Sequence, residues 1–450
     1  MEKKSKVIAI LLCIIMAFSL VGCGGNNKAA SEGTSTSTDS NTEESKTQTT
    51  DEAATSAEKV TLKLAFHFDE EKIQPIIQEF ISAHPEVEAI EYTNLSGMSD
   101  QQQITRLTGN DYEDVILIPS VLLSSELPNY FAPLGDAATI AEKYYYGDYL
   151  QKDGQTYGYP IGVVYEGLVY NKTVLDKYYG GVVPTTLDQL MECCAAIHEN
   201  GVNCFYTNAG STWPLRYWDN LAITMSEDPD YANKIVTTEE PWAEGQYLRK
   251  SDEILETMAK NGWLEPDVVT GDQWDSSLTS VAMGETAFLF TGTWALPQVK
   301  DAAEELGLDR DSIGFAPFPY KNDVSETNPL YLRIAQDLFL GVNKNSENLE
   351  LSKEFCAFFA EKIALTLGMN EIMIDGGQNQ PDLAFLQDLD YVKFYTSPAR
   401  DPKISEMAAQ CQVDVYAYDG FLLQYVILPA INEGAAQFDK LNELWKSNFK

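Results

Sequence analysis

The order of the apolar patterns at the start of the folded region constrains this chain most strongly. Val60–Phe66 alternates apolar and polar residues with period two, which predicts a strand. The patterns that follow predict a helix that buries Ile73, Ile76, Ile77 and Phe80 and stops at His84-Pro85. A polar strand at 87–92, a helix near 99–108 and a continuous apolar strand at 114–118 come next. This β-α-β-α-β order is typical of an open, mostly parallel α/β sheet, in which ligands bind at the carboxyl ends of strands.

A second α/β unit is predicted downstream of a long extended segment at 157–170. Three glycines interrupt this segment, which favours a strand that crosses between two bodies. The patterns after it predict helices at about 187–201, 247–260 and 274–283, a buried strand at 286–290, a strand at 339–343, and helical stretches at 403–416 and 421–446. Asn345 and Ser346 are expected to cap the helix that follows the 339–343 strand. The chain is therefore predicted to form two α/β lobes.

The N-terminus is typical of an exported protein. Three lysines precede an apolar run at 7–21, which is shorter than the roughly 20 residues of a membrane-spanning helix. The run ends in Leu20-Val21-Gly22-Cys23, which resembles the lipobox of bacterial lipoproteins. We expect a signal peptide over 1–22, lipidation at Cys23 and a disordered tether over 23–58, rich in Ser, Thr and acidic residues. An ordinary signal peptide with an incidental cysteine is the alternative.

The charge of the chain excludes one large class of partner. There are 31 Lys and Arg residues against 68 Asp and Glu residues, a net charge of −37, which repels nucleic acid. Seven cysteines become five once Cys13 is cleaved off and Cys23 is lipidated, an unsuitable number for a disulfide framework. No zinc spacing occurs and there are three histidines, so neither a metal nor a cofactor is expected.

The motifs of the common enzyme classes are missing from the sequence. No GxSxG elbow, HExxH pair, P-loop or strand-embedded GxGxxG occurs. A binding protein is therefore expected rather than an enzyme. A surface-anchored enzyme that degrades glycans and an adhesin-like interaction protein remain as alternatives.

Aromatic residues are the stronger functional feature, with 24 Tyr and 7 Trp. Such rings offer apolar faces together with polar groups, which suits sugars. Trp294 lies in a predicted strand-to-helix turn, and Asn208 and Trp213 lie in a loop containing Gly and Thr, so these three are ligand-binding candidates. His67 and Asp69 follow the first strand and are candidates as well, although Asp69 is equally suited to cap the next helix.

Seven short motifs occur along the chain: Tyr157-Gly-Tyr-Pro160, Tyr170-Asn-Lys172, Pro184-Thr-Thr-Leu-Asp-Gln-Leu190, Ala282-Met-Gly284, Thr291-Gly-Thr-Trp294, Gly314-Phe-Ala-Pro-Phe-Pro319 and Leu340-Gly-Val-Asn-Lys344. Together they resemble the extracellular solute-binding proteins of ABC importers, in the family 1, sugar-binding branch that includes maltose-binding proteins. The match extends over about residues 60–380.

The resemblance implies an α/β, two-lobed fold like that of periplasmic binding proteins, with two or three hinge crossings and closure over a ligand. The implied N-lobe is 59–162 with 337–375 returning to it, and the implied C-lobe is 167–332 with 380–450 returning. The protein would be a monomer. Its partners would be a carbohydrate ligand and the transmembrane permease of an ABC importer. The location would be the extracellular face of a cell membrane, as in a Gram-positive bacterium.

The resemblance also implies site residues. Trp294 matches a cleft tryptophan that stacks on a sugar ring, and Ser120 matches a second ligand-contacting loop. The chain departs from maltose-type members at Val164, where those proteins have a glutamate. Tyr165 and Glu166, just beyond it, are ligand-binding candidates. Arg333 and Asp337 would face the cleft, and such an arginine would allow an acidic sugar or a peptide carboxylate as ligand.

Overall fold

A computed structural model describes residues 59–271, 273–417 and 420–447. The predicted signal peptide, Cys23 and the tether lie outside this part of the chain. Residues 57–450 belong to one compact unit. Within the described residues, no helix combines the length and the apolarity needed to cross a bilayer.

The described strands form two main sheets and one small sheet. In chain order they are β1 (Val60–Phe66), β2 (Val87–Asn94), β3 (Val115–Leu117), β4 (Gly135–Asp136), β5 (Gln151–Lys152), β6 (Gln155–Thr156), β7 (Tyr159–Pro160), β8 (Val163–Asn171), β9 (Asn203–Phe205), β10 (Thr286–Gly292), β11 (Ile313–Pro317), β12 (Leu330–Gln336), β13 (Phe339–Val342) and β14 (Val392–Thr396).

Helices cover the faces of the two main sheets. In chain order the described α-helices are α1 (Glu70–Ala83), α2 (Asp100–Thr108), α3 (Ala137–Lys143), α4 (Lys172–Tyr179), α5 (Leu187–Glu199), α6 (Arg216–Ser226), α7 (Tyr231–Lys234), α8 (Tyr247–Lys260), α9 (Trp274–Met283), α10 (Ala295–Glu305), α11 (Leu349–Thr366), α12 (Pro402–Cys411), α13 (Leu428–Glu433) and α14 (Phe438–Ser447). A π-helical turn, Leu422–Ile427, leads into α13.

The N-lobe is built on a sheet with the order β2-β1-β3-β13-β7. Strands β1, β2 and β3 are parallel, as the β-α-β-α-β pattern predicts, and β13 returns antiparallel beside β3. Helices α1 and α11 pack together on this sheet through aromatic rings, since the Phe80 ring lies 4.9 Å from that of Phe355. Phe66 of β1 meets Phe359 edge to face at 5.4 Å. These contacts place the core of the N-lobe between the sheet and its helices.

The C-lobe is organised around the long strand β8. The first residues of β8 pair with β12, and its later residues pair with β11 on the same side of the strand. On its opposite side β8 pairs with β10. Strands β9 and β14 continue the sheet at its two edges. The predicted crossing at 157–170 is confirmed, because β7 belongs to the N-lobe sheet and β8 to the C-lobe sheet.

Short links join the lobes at 161–162 and 337–338, and a longer one spans 367–391. Gly162 is required in the first link, since a Cβ there would lie 2.8 Å from the Cβ of Met369. The Lys300 Nζ donates to Asp382 Oδ2 at 2.6 Å and ties the third link to helix α10. The two short links connect β7 and β13, neighbours at one edge of the N-lobe sheet, to β8 and β12, which are neighbours in the C-lobe sheet.

The topology places five strand ends at the gap between the lobes. Strands β1, β3 and β7 all end at one edge of the N-lobe sheet, because β3 and β7 both pair antiparallel with β13. Strands β9 and β10 are parallel and end beside the start of β8, where Gly292 pairs with Glu166. Since two residues separate β7 from β8, these edges lie on either side of the hinge links, and the space between them is the candidate interlobe cleft.

Two predicted helix boundaries were wrong. Helix α11 begins at Leu349 with Asn348 as its N-cap, and Ser346 instead accepts the backbone N–H of Asn348. The two closing stretches break into shorter helices, because Gln412 and Gly434 adopt left-handed conformations that end α12 and α13. The five cysteines among the described residues are all buried.

Candidate ligand-binding cleft

Three tryptophans meet at the C-lobe edge of the cleft. The ring centroids of Trp274 and Trp294 lie 4.9 Å apart, those of Trp213 and Trp274 lie 5.5 Å apart, and those of Trp213 and Trp294 lie 6.0 Å apart. All three side chains are half-buried. This tryptophan cluster (Trp213, Trp274 and Trp294) offers aromatic faces of the kind on which the apolar side of a sugar ring stacks.

Backbone geometry explains why the three rings converge. Trp294 follows β10 after one residue, Thr293, and is the N-cap residue of α10. A Cβ on Gly292 would lie 2.6 Å from the Trp294 ring, so glycine allows the ring to fold back against the strand. Trp213 lies in the loop after β9, and Trp274 opens α9. The cluster therefore forms where three elements of the C-lobe begin or end.

Hydrogen bonds fix the orientation of two of the rings. The Trp294 Nε1 donates to the Tyr217 hydroxyl at 3.2 Å, and the Trp274 Nε1 donates to Gln298 Oε1 at 2.9 Å. The Arg216 guanidinium lies 5.8 Å from the centroid of the Trp213 ring, within the range of a cation–π contact. The cluster is therefore held in place by polar contacts before any ligand arrives.

A buried carboxylate braces the loop that carries Asn208. Glu265 accepts hydrogen bonds from the Thr207 N–H at 2.7 Å, the Thr207 hydroxyl at 2.8 Å and the Ala209 N–H at 3.2 Å. Burial raises the pKa of Glu265, and these hydrogen bonds oppose the increase. Asn208 itself is left-handed, with φ 52°, and only 3% exposed.

The N-lobe edge contributes the loop after β1. The Tyr92 hydroxyl donates to the carbonyls of Phe66, at 2.9 Å, and Phe68, and the Ser96 hydroxyl donates to the carbonyl of His67. Burial lowers the pKa of His67 to about 4, so its imidazole is neutral at pH 7.

Two further N-lobe candidates lie at the same edge. Asp69 is exposed, and although it is the N-cap residue of α1 its side chain makes no capping hydrogen bond. Ser120 follows β3 and is exposed. Because β1 and β3 are parallel neighbours, both residues leave the sheet on the side of the cleft. The polar groups of both side chains are therefore available on that side.

Two of the predicted ligand-binding residues form an ion pair inside the C-lobe. The Arg333 Nη1 donates to Glu166 Oε1 at 2.8 Å, and their side chains are 4% and 8% exposed. Burial alone would lower the pKa of Arg333, but the Glu166 carboxylate raises it. Asn220 also donates to Glu166, at 2.8 Å. The charge of Arg333 is therefore neutralised within the protein.

Tyr165 and Asp337 lie beside the hinge links. The Tyr165 hydroxyl donates to Asn379 Oδ1 at 3.1 Å, and burial raises the pKa of Tyr165 to about 12. Asp337 lies in the 337–338 link, where burial raises the pKa of its carboxyl and the charge of Arg216 opposes the increase. Tyr165 thus contacts the third link through Asn379, and Asp337 is part of the second link, so both lie where the hinge links meet the base of the cleft.

The structure thus gathers Trp294, Trp213 and Asn208 at the C-lobe edge and His67, Asp69 and Ser120 at the N-lobe edge. Sequence reasoning missed Trp274, Arg216 and Glu265. Trp274 was detectable, because it lies at the start of a predicted helix as Trp294 does. Arg216 contacts Trp213 three residues away, whereas Glu265 acts through Thr207 and Ala209, which are distant in sequence. Among the described residues, no three His, Cys, Asp or Glu side chains are grouped so that they could hold a metal ion.

A family model and a known protein both match this chain. Residues 69–364 match the family model described as bacterial extracellular solute-binding protein. The melibiose/raffinose/stachyose-binding protein MelE of Bacillus subtilis (strain 168) is 24% identical over 290 residues, which cover 58% of this chain and 63% of that protein. The match therefore spans less than two thirds of that relative.

Solved structures share the fold over a larger part of the chain. The ABC-transporter binding protein BlMnBP1 of Bifidobacterium animalis subsp. lactis, in complex with mannobiose, has a TM-score of 0.74 and 24% identity, covering 87% of this chain and 95% of that one. The same protein in complex with mannotriose has a TM-score of 0.72 and 26% identity, with the same coverage. The two-lobed arrangement is thus shared with known sugar-binding proteins.

Proposed function

Because this chain belongs to the bacterial extracellular solute-binding protein family, we propose that it captures an oligosaccharide in the interlobe cleft and delivers it to the permease of an ABC importer. The observation that carries the proposal is the tryptophan cluster at the carboxyl ends of β9 and β10. MelE is described as a binding protein for melibiose, raffinose and stachyose, and BlMnBP1 is bound to mannobiose or mannotriose. These ligands support an oligosaccharide for this chain.

The polar groups of the cleft favour an uncharged ligand. An arginine facing the cleft would attract an acidic sugar or a peptide carboxylate. Arg333, however, is paired with Glu166 and nearly fully buried. The neutral His67 and the cluster of apolar rings suit the hydroxyls and C–H faces of a neutral sugar.

The mechanism follows from the position of the candidate residues on both lobes. Trp294 and Asn208 would bind the ligand from the C-lobe, and His67, Asp69 and Ser120 from the N-lobe. A ligand that touches both edges binds the closed form better than the open form, so it shifts the population toward closure. Glu166, Arg333, Tyr165 and Asp337 would support the floor and the hinge.

A binding screen tests the ligand class. Thermal-shift and calorimetric titrations with mannobiose, mannotriose, raffinose and stachyose should show that at least one raises the melting temperature by mass action. Trp294→Ala should weaken binding of that sugar by roughly 1–3 kcal/mol, because a stacked apolar surface is lost.

Tyr178→Ala provides the matched control, since Tyr178 lies in α4 beyond the end of β8 that is remote from the cleft. It should leave the affinity unchanged. Equal affinities for the wild type and Trp294→Ala would contradict the stacking role. Recovery of shortened sugar after incubation with the protein would favour a glycan-degrading enzyme over a binding protein.

We also propose that Cys23 carries a lipid that anchors the mature monomer to the outer face of the cell membrane. The proposal rests on the lipobox-like sequence Leu20-Val21-Gly22-Cys23. Cys23→Ser should release the protein into the medium while sugar binding is retained. Equal membrane retention of both forms would contradict lipid anchoring at this residue.

A further inference from the structure

Two polar side chains at the C-lobe edge have atoms without hydrogen-bond partners in the protein. They are the amide Nδ2 and Oδ1 of Asn208 and the hydroxyl of Thr291. The residues are 3% and 1% exposed. A buried polar group left unpaired costs on the order of 1–3 kcal/mol, so such groups in a native fold call for a physical explanation.

The sheet register places Asn208 and Thr291 toward the same ends of two neighbouring strands. In the parallel pairing of β9 with β10, Phe205 is opposite Phe288, and the Tyr206 N–H still donates to the Phe288 carbonyl at 3.0 Å. Asn208 and Thr291 each lie three residues beyond that pair. Both therefore lie toward the carboxyl ends of neighbouring parallel strands, and Trp294 follows three residues after Thr291.

Glu265 holds Asn208 in its unusual conformation. Its carboxylate binds the residue on each side, through the N–H groups of Thr207 and Ala209 and the Thr207 hydroxyl. A left-handed backbone costs energy for a residue with a side chain, and such strain persists only where neighbouring contacts enforce it. Strain of this kind is concentrated at functional sites.

We infer that Asn208 and Thr291 form a hydroxyl-binding subsite beside the tryptophan cluster and that Glu265 is its positioning residue. The inference rests on the proposed function and deepens it. An amide donates and accepts hydrogen bonds, and so does a sugar hydroxyl, so one ring hydroxyl can satisfy the amide and the threonine together. The subsite therefore selects saccharides that carry a hydroxyl at this ring position over the matching deoxy sugar.

Two substitutions remove the subsite with little change to the fold. Thr291→Val keeps the side-chain shape and deletes only an unpaired hydroxyl, and Asn208→Gly deletes the amide at a φ that glycine tolerates. Each substitution should weaken sugar binding about tenfold in calorimetry. The sugar used is the one of the four screened that binds the wild type most tightly. The melting temperature of Thr291→Val without sugar should be equal to or above that of wild type.

Thr286→Val is the matched control. Thr286 lies on the same strand, and its hydroxyl is paired with that of Ser280 at 2.8 Å. It should lower the melting temperature and leave the affinity unchanged. If Thr291→Val and Asn208→Gly both bind the sugar as wild type does, these atoms contact only ordered water and the inference is overturned.

The role of Glu265 requires a measurement that a general loss of stability would not change. Glu265→Gln removes the acceptor for one of the two backbone N–H groups and should weaken sugar binding about fivefold. In an Asn208→Gly background the same substitution should have no further effect on affinity, because the group that Glu265 positions is gone. Equal losses in both backgrounds would assign Glu265 to the fold alone.

The outcomes separate this inference from the proposed function. If no sugar in the screen binds wild type, the proposed function fails, and if Trp294→Ala binds as tightly as wild type, the stacking role fails. If wild type binds and Trp294→Ala does not, while the Asn208 and Thr291 variants bind normally, the proposed function stands and only the subsite is overturned.

Discussion

His67 shows how burial alone can set the chemistry of a residue in the cleft. Its ring lies 5.5 Å from Phe66 and 4.2 Å from Phe68, and burial lowers its pKa from 6.5 to about 4. Between those two values the unfolded chain binds a proton at His67 and the folded chain does not. The free energy of unfolding therefore decreases as the pH falls from 6.5 to 4.

We expect His67→Asn to reduce this pH dependence. Between pH 6.5 and 4 the free energy of unfolding of the variant should fall by on the order of 2 kcal/mol less than that of wild type. The reason is that the variant has no imidazole that must be kept unprotonated in the folded state. Urea denaturation at several pH values measures the difference. The exposed His198→Asn is the control and should follow the wild-type curve. Parallel curves for wild type and His67→Asn would contradict a buried, neutral imidazole.

The tryptophan cluster shows where prediction from the sequence stops at the residue scale. Trp294 was predicted because its position between a strand and a helix is visible in a short window. Its contacts with Trp213 and Trp274 join residues that are 81 and 20 positions away in the sequence. No local pattern encodes such pairings, because they depend on how β9, β10 and α9 are arranged in space.

At the scale of elements, β8 links the hinge to the interior of the C-lobe. Glu166 is near its start and pairs with Arg333 of the neighbouring strand β12. The other polar contacts of the pair, from Asn220 to Glu166 and from Arg333 to Ser397, also lie in the C-lobe. The pair therefore fixes β8 and β12 to each other just beyond two hinge links.

We expect Arg333→Met to lower the free energy of unfolding by about 3–5 kcal/mol, because it leaves the Glu166 carboxylate buried without its cation. Adding Glu166→Gln should restore most of that loss. Urea denaturation of the single and double variants tests this. Lys440→Ala breaks an exposed pair with Glu443 and should cost less than about 1 kcal/mol. Equal losses for Arg333→Met and Lys440→Ala would contradict a structural role.

Element types could be predicted well where the periodicity was long and uninterrupted. Helices α8 and α9 have the predicted ends, and the crossing segment at 157–170 divides into β7 and β8. The start of α11 was misplaced because Asn345, Ser346 and Asn348 are all suitable caps, and only packing selects one. The ion pair of Glu166 with Arg333 was not predictable either, since 167 residues separate the partners.

At the scale of the whole molecule, the two lobes should move as units about the hinge links. Small-angle X-ray scattering should show a smaller radius of gyration when a saturating oligosaccharide from the screen is added to the wild type. Trp294→Ala at the same sugar concentration should show a smaller change, because less of it is bound. An unchanged radius at demonstrated saturation would contradict closure by the ligand.

The position of β13 has a consequence for the order in which the molecule can assemble. This strand lies between β3 and β7 in the N-lobe sheet, yet it follows β8 to β12 of the C-lobe in the chain. The N-lobe sheet cannot be completed until residue 342 has left the ribosome, and long-range pairing of this kind is slow. The first lobe must therefore wait for most of the second to be synthesised, so the N-terminal half of the sheet stays without its full set of strands for most of translation.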